Sequence, residues 1–301
     1  MMARLAQLLE KLTPHGGLRC IPVGEYLEGR AGGRMDVERR FFAGLQMRNG
    51  VYRTTEPHRM DDLLPLLVAR ALELESRPLR ILDVACSAGV ATVELHRALV
   101  AAGIGCETWG TDLMIRAEYV RRDDGVGVLF DPDHQVLQID IGRWATPWKW
   151  RPRDLAFRPL RSLRARRLIS NEIDTFCAAL RESVPGYRTS VVPLISSLAD
   201  SAAGVHFAEE DILAPRVAGR FALIRAANIL NRGYFTPAEI RRMAGALCGR
   251  LEEGGLLLVV RTVSPQPGNV ATLFRRRNCT LSIEEHVRGG SDVAAIVAGA
   301  A

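Results

Sequence analysis

The spacing of apolar residues changes along the chain, and the changes divide it. Up to about residue 78 apolar positions recur at helical intervals, with a glycine-rich break from Gly29 to Gly33 and an amphipathic stretch from Asp61 to Leu74 ahead of Pro78. This predicts a helical N-terminal region with no strand of a main sheet. From Leu79 the pattern becomes strand and helix in alternation: RILDVA (80–85), a helix from about Ala88 to Ala102, then CETWGTD (106–112). That order opens a βαβ unit in a parallel sheet.

The alternation stops between 114 and 203, which reads as an inserted α+β subdomain. Val126, Val128 and Phe130 alternate, as do Leu137, Ile139 and Ile141, and the DPDH turn between them predicts a β-hairpin. Further on, Ile169, Ile173, Phe176 and Leu180 share one face of a helix. The sheet resumes at VHFAEEDIL (205–213) and RFALIRAAN (220–228). Thr236, Pro237 and Glu239 then form a capping box for a helix whose apolar face is Ile240, Met243, Leu247 and Leu251, with Gly254 and Gly255 expected to end it. GLLLVVRTV (255–263) reads as a central strand, followed by short strands near 271–275 and 280–286 and an apolar stretch from Val293 to Val297. The expected fold is therefore α/β, with a core at 79–113 and 204–301, a helical cap or lid at 1–78 and the insertion at 114–203.

Composition narrows the picture. A chain of 301 residues, 48% hydrophobic, can bury a sizeable core. Its six cysteines lie far apart without a CxxC pair, which points to neither a disulfide framework nor a metal site and fits a cytoplasmic protein. No apolar run reaches membrane-spanning length, and Met1 to Thr13 has no signal-peptide pattern. The net charge of +6 is local: residues 151–167 hold seven arginines (151, 153, 158, 161, 164, 166 and 167) against Asp154, which accounts for the whole excess. The chain is therefore no general nucleic-acid binder. The segment 142–167, with Trp144, Trp148 and Trp150, either presents a solvated face or makes peripheral contact with an acidic partner or an anionic membrane surface.

Candidate chemistry sits at the carboxyl ends of the strands, where the ligand crevice of an open α/β sheet lies. The first strand runs through Asp83 into a turn of small residues, Ala85, Cys86, Ser87, Ala88 and Gly89, and the next helix offers its N-terminus to an anion. The second ends at Asp112 and Leu113, where a carboxylate suits ribose hydroxyls; the third ends at Glu209, Glu210, Asp211 and Ile212, where an acceptor suits an adenine amino group. The fourth ends at Asn228, Ile229, Leu230 and Asn231, followed by Tyr234.

LDVACSAG, GTD, EEDIL and FALIRAANIL resemble four motifs of the class I methyltransferases that use S-adenosylmethionine (SAM), over roughly 79–113 and 204–287. The resemblance implies a Rossmann-like seven-stranded sheet, mostly parallel with an antiparallel C-terminal strand. It also implies SAM as cofactor: Asp83, Ala85, Ser87 and Gly89 around the methionine part, Asp112 at the ribose, Asp211 at the adenine, and Asn228 on the methionine or substrate side. Of the family's three loop glycines only Gly89 remains, so Ala85 and Ser87 must either avoid positive φ or accept strain. The ACSAG loop, the hairpin and Asn228 with Tyr234 and Phe235 are similar to methyltransferases that modify glutamates of chemotaxis receptors, although Val90 and Ala91 replace the glutamates expected after the loop.

Methyl transfer needs alignment more than acid or base chemistry, which agrees with the lack of any obvious triad. Asn228, Asn231 and Tyr234 are the catalytic candidates, and Tyr52, Arg53 and His58 are candidates for the roof of an acceptor pocket. Each has a plainer reading: Asn228 and Asn231 as loop-bonding amides, Tyr234 as packing, Asp112 as a helix cap, His206 as an edge-strand histidine. The methyl acceptor, whether O, N or carboxylate on a small molecule or protein, is not identified. Two other functions fit parts of the pattern. A non-catalytic methyltransferase-like protein would dock an acidic partner or membrane. A nicotinamide-dependent oxidoreductase would share the acid after the second strand, but needs three glycines and no acid ahead of the turn.

Overall fold

A computed structural model describes residues 20–45, 47, 52–53, 56–148, 159–263 and 268–300; side chains at 159–162 and 164 are outside this description. Trp150, Arg151, Arg153 and Arg158, and the side chains of Arg161 and Arg164, therefore lie outside the described residues, as does Met1 to Thr13. The chain forms two compact units: residues 1–55 with 116–197, and residues 56–115 with 198–301.

The second unit carries the expected sheet. Its strands are β1 (Leu79–Val84), β2 (Cys106–Asp112), β8 (Val205–Glu209), β9 (Phe221–Ala227), β10 (Leu251–Thr262), β11 (Asn269–Arg277) and β12 (Thr280–Val287), in the spatial order β12-β11-β10-β9-β1-β2-β8. β10, β9, β1, β2 and β8 pair in parallel, while β11 pairs antiparallel with both β10 and β12. The two-residue turn Asn278–Cys279 forces that last pairing, because so short a connection can only make a hairpin. The chain order reverses beside β1, which sets the crevice at the ends of β1, β2 and β9.

Helices cover both faces. α3 (Leu64–Leu72) and α4 (Val90–Ala101) pack on one side with Ile81, Leu223, Leu258 and Leu273. α8 (Pro237–Arg250) and α9 (Ala294–Ala298) pack on the other with Leu82, Val84, Ile224 and Val259. The capping box forms as read: the Thr236 hydroxyl accepts from the Glu239 amide while the Glu239 carboxylate accepts from the Thr236 amide. Gly254 and Gly255 do not end α8, which stops at Arg250; they fall within β10, where the register slips between Leu251 and Leu256. The apolar stretch from Val293 to Val297 forms most of α9.

The first unit holds α1 (Val23–Ala31), α2 (Met35–Gly44) and a second sheet, β6-β5-β4-β3-β7, from β3 (Arg116–Arg122), β4 (Val126–Phe130), β5 (Val136–Ile141), β6 (Trp144–Pro147) and β7 (Tyr187–Pro193), all antiparallel. The hairpin is present as β4 and β5. The helical stretch is two helices, α5 (Pro159–Ser170) and α6 (Ile173–Ala179), with Ile169 and Phe176 buried on the sheet. A short helix, α7 (Ser197–Asp200), follows β7. The charged strand RAEYVRR, β3, showed no clean alternation, so the five-stranded extent of this sheet was not legible. No helix among the described residues is long and apolar enough to cross a membrane.

Candidate functional site

The loop after β1 takes the strained option. Ala85 and Ser87 both adopt left-handed φ, 55° and 56°, and Gly89 follows at 78°. A non-glycine residue in this region costs about 1–2 kcal/mol, and such strain persists where the surroundings over-determine it. They do so here: the Cys86 amide donates to the Thr111 carbonyl, and the Ser87 amide to an Asp112 carboxylate oxygen at 2.9 Å. The other Asp112 oxygen accepts from the Met114 amide. Asp112 thus stitches the loop to the end of β2, and Leu113 beside it is 72% exposed.

Glycine is required at two places for packing. A Cβ on Gly89 or on Gly110 would stand 2.6 Å from the Phe207 ring of β8. Register places Asp83 opposite Gly110, Gly110 opposite Phe207, and Asp112 opposite Glu209, so these residues share the α4 face of the sheet. α4 itself starts at Gly89 with neither a side-chain cap nor an acid in its first turn. Its N-terminal amides therefore retain their attraction for an anion.

Asp83 lies beneath this loop, buried, and does not open to solvent. Its cross-strand neighbour is Arg225 of β9, which binds it through Nε (2.8 Å) and Nη2 (2.6 Å), while the Thr92 hydroxyl of α4 donates at 2.5 Å. Burial alone would lower the Arg225 pKa; the adjoining carboxylate outweighs it and the net shift is upward. Arg225 Nη1 and Glu94 Oε2 are both buried without a hydrogen-bond partner. Glu94 also accepts from the His58 amide through Oε1, and burial raises its pKa. Sequence reading missed Arg225, Thr92 and Glu94. The signal was there in one case: Arg225 is the single charge within the apolar run FALIRAA.

At the third strand, Glu210 is buried and paired with Arg250 at 2.5 Å, and it accepts from the Arg216 and Val217 amides, so it holds the loop after β8. Asp211 is exposed and accepts from the Leu213 amide; Ile212 packs on the core beneath α8. Cys86 is buried in the loop. The structure thus brings Ala85, Cys86, Ser87, Gly89, Asp112 and Leu113 together around the ends of β1 and β2. It sets Asp83 below them and Glu210 in a separate ion pair.

Asn228 has φ 62° and spends its amide on Thr262: Oδ1 accepts from the Thr262 amide at 2.8 Å, and Nδ2 donates to Oγ1 at 3.3 Å. Asn231 makes an Asx turn to the Gly233 amide, and Tyr234 is 46% exposed. His58 is exposed against Asp61, at 3.0 Å. Tyr52 and Arg53 belong to the first unit, where Arg53 is buried and donates to the Leu194 carbonyl. His206 lies on the edge strand β8 beside Trp109, 3.7 Å from Glu107. In the Trp/Arg segment, Trp144 is exposed on β6 and Trp148 lies under the Arg166 guanidinium.

No protein-family model matches the sequence, and no curated protein does. Among solved structures, the chain is similar to the N-methyltransferase NodS from Bradyrhizobium japonicum, crystallised with S-adenosylhomocysteine (15% identity, TM-score 0.32, covering 71% of this chain and 67% of that one). It is similar to an S-adenosylmethionine-dependent methyltransferase from Clostridium acetobutylicum (11%, 0.33, 81% and 79%). It also resembles the amino pentose methyltransferase CalS10 from Micromonospora echinaspora (14%, 0.29, 71% and 62%).

Proposed function

We propose that residues 56–115 and 198–301 form a SAM-dependent methyltransferase. The observation that carries this reading is the loop 85–89: three left-handed positions, two of them without glycine, lead into an uncapped helix N-terminus and are tied to a carboxylate at the neighbouring strand end. A fold that needed only a strand-to-helix turn has no reason to keep that strain. The residues fit the cofactor's parts. The loop backbone and α4 N-terminus suit the methionine carboxylate. Asp112 suits the ribose, since a carboxylate oxygen accepts more than one hydrogen bond. Leu113, Ile212 and Asp211 suit the adenine. SAM, when bound, supplies a methyl group on a sulfonium. This chain's part is to hold and align: Asp83, clamped by Arg225 and Thr92, positions the loop from below, and Thr262 fixes Asn228 at the end of β9. Asn228, Asn231 and Tyr234 stand beyond β9, on the side proposed for the acceptor.

Calorimetry with S-adenosylhomocysteine tests this reading. Wild-type protein should release heat at a single site, and Asp112→Ala should bind at least about tenfold more weakly, the loss of one to two hydrogen bonds to a charged group. NADH binding without S-adenosylhomocysteine binding would replace it with the nicotinamide reading. Folded protein binding neither would favour a non-catalytic docking role.

A further inference from the structure

Arg59, in the turn ahead of α3, is held at both ends. Its carbonyl accepts from Asn269 Nδ2 at 2.8 Å, and its Nε donates to the Thr262 hydroxyl at 3.2 Å. That hydroxyl also accepts from Asn228 Nδ2 and donates to Asn269 Oδ1 at 2.8 Å, so its hydrogen-bonding capacity is used up. The guanidinium is thereby fixed at the carboxyl ends of β9 and β10, one hydroxyl away from Asn228.

Arg59 is half-buried, and neither of its Nη groups is among the buried, unpartnered side-chain atoms, so the fork is open to an approaching ion. Of the acids that follow it in sequence, Asp61 stands 3.0 Å from His58, and Asp62 is engaged as well. It accepts from the Asn269 amide (3.2 Å), from Asn269 Nδ2 (2.6 Å) and from Arg288 Nη1 (2.5 Å). Among the described residues no carboxylate lies within ion-pair distance of Arg59, and neither of its Nη groups has a hydrogen-bond partner; Glu56 acts on it only at longer range. Burial accordingly lowers the Arg59 pKa, though an arginine stays charged. The Nη fork is thus a charged pair of donors, tethered through Nε, with no partner among the described residues.

We infer that Arg59 is the specificity residue for the methyl acceptor, and that the acceptor carries an oxyanion, a carboxylate or a phosphate, which the Arg59 fork grips. The geometry of the fork matches two oxygens of either group. The inference rests on the methyl-transfer reading for the word acceptor; the anion site itself stands on the contacts of Arg59.

The test uses the full chain and two measurements. Arginine side-chain NMR follows the Nε–Hε resonance that is missing from Arg59→Gln, during titration with succinate, with methyl phosphate and with choline. A saturable shift with succinate or methyl phosphate and none with choline supports the site, and the better of the two anions names the acceptor's group. Arg59→Lys, keeping the charge without the fork, should bind that anion at least about tenfold more weakly than wild type, as expected for loss of a bidentate charge-assisted pair. A wild-type resonance that neither anion moves overturns the inference, and Arg59→Lys, which also lacks that resonance, assigns it should Arg59→Gln not fold. In parallel, calorimetry with S-adenosylhomocysteine should give the same affinity for wild type and Arg59→Lys. Heat absent from both would end the methyl-transfer reading while the anion titration still stood or fell by itself.

Discussion

Removing the charge of Asp83 should be among the most damaging single changes in the second unit. Three donors converge on this one carboxylate: Arg225 Nε at 2.8 Å, Arg225 Nη2 at 2.6 Å and the Thr92 hydroxyl at 2.5 Å. Asp83→Asn keeps the shape but offers one acceptor oxygen and turns an amide N–H toward another donor. The Arg225 charge, on a residue only 1% exposed, then has no counter-ion in contact. Breaking a buried pair from one side costs about 3–5 kcal/mol. Against a domain stability of about 5–15 kcal/mol this is a fifth or more. With a urea slope of about 1–3 kcal/mol/M, the midpoint should fall by roughly 2 M. Equilibrium urea unfolding followed by circular dichroism measures it. The double replacement Asp83→Leu with Arg225→Met removes both charges from an apolar setting and should recover most of the loss. An Asp83→Asn midpoint within about 0.5 M of wild type would refute the reasoning, by the same slope. So would a double variant no more stable than the single one.

Two further outcomes are expected. Ala85→Gly relieves a Cβ at φ 55°; the relief exceeds the entropy glycine adds to the unfolded chain, so the melting temperature should rise by the equivalent of about 0.5–1 kcal/mol, and a fall would show that Ala85 is not strained. Asp140, buried in the first unit and accepting from the Val23 amide, Tyr119 and Gln138, has its pKa pushed up by burial from 3.8 to about 6. Because the folded pKa lies above the unfolded one, its contribution is complete below pH 3.8 and is lost as pH rises through about 6. Hydrogen exchange at 116–147 should therefore speed up between pH 4 and pH 7 beyond its intrinsic rise, by an opening free energy of about 3 kcal/mol, and Asp140→Asn should flatten the dependence.

Much of the second unit was legible before folding was considered. β1, β2, β9, the α8 cap and the small-residue loop are local features: an apolar run, a Thr-Pro-any residue-Glu start, a turn without bulk. Periodicity over a few residues reports them because the forces that make them act over a few residues. The loop's departure from glycine was equally visible, and so was the choice it posed; which branch the backbone takes was not, since φ at Ala85 and Ser87 is set by bonds to Thr111 and Asp112, some 25 residues away in sequence.

The remainder needed register and long-range pairing. That Asp83 meets Arg225 follows from the alignment of β1 with β9, across 142 residues, and no local pattern states that alignment. Asn228 reads equally as a ligand-facing or a loop-bonding amide; its bonds to Thr262 lie 34 residues away in sequence. Within the stretch 1–78 read as a cap or lid, residues 20–45 group with 116–197, whose charged strand β3 gave no alternating signal. The sequence by itself determined most strands and helices of the second unit and the small-residue loop after β1. Only the tertiary structure decided which polar side chains are used up holding the fold, because a hydrogen bond is made once and its partner is chosen by distance in space.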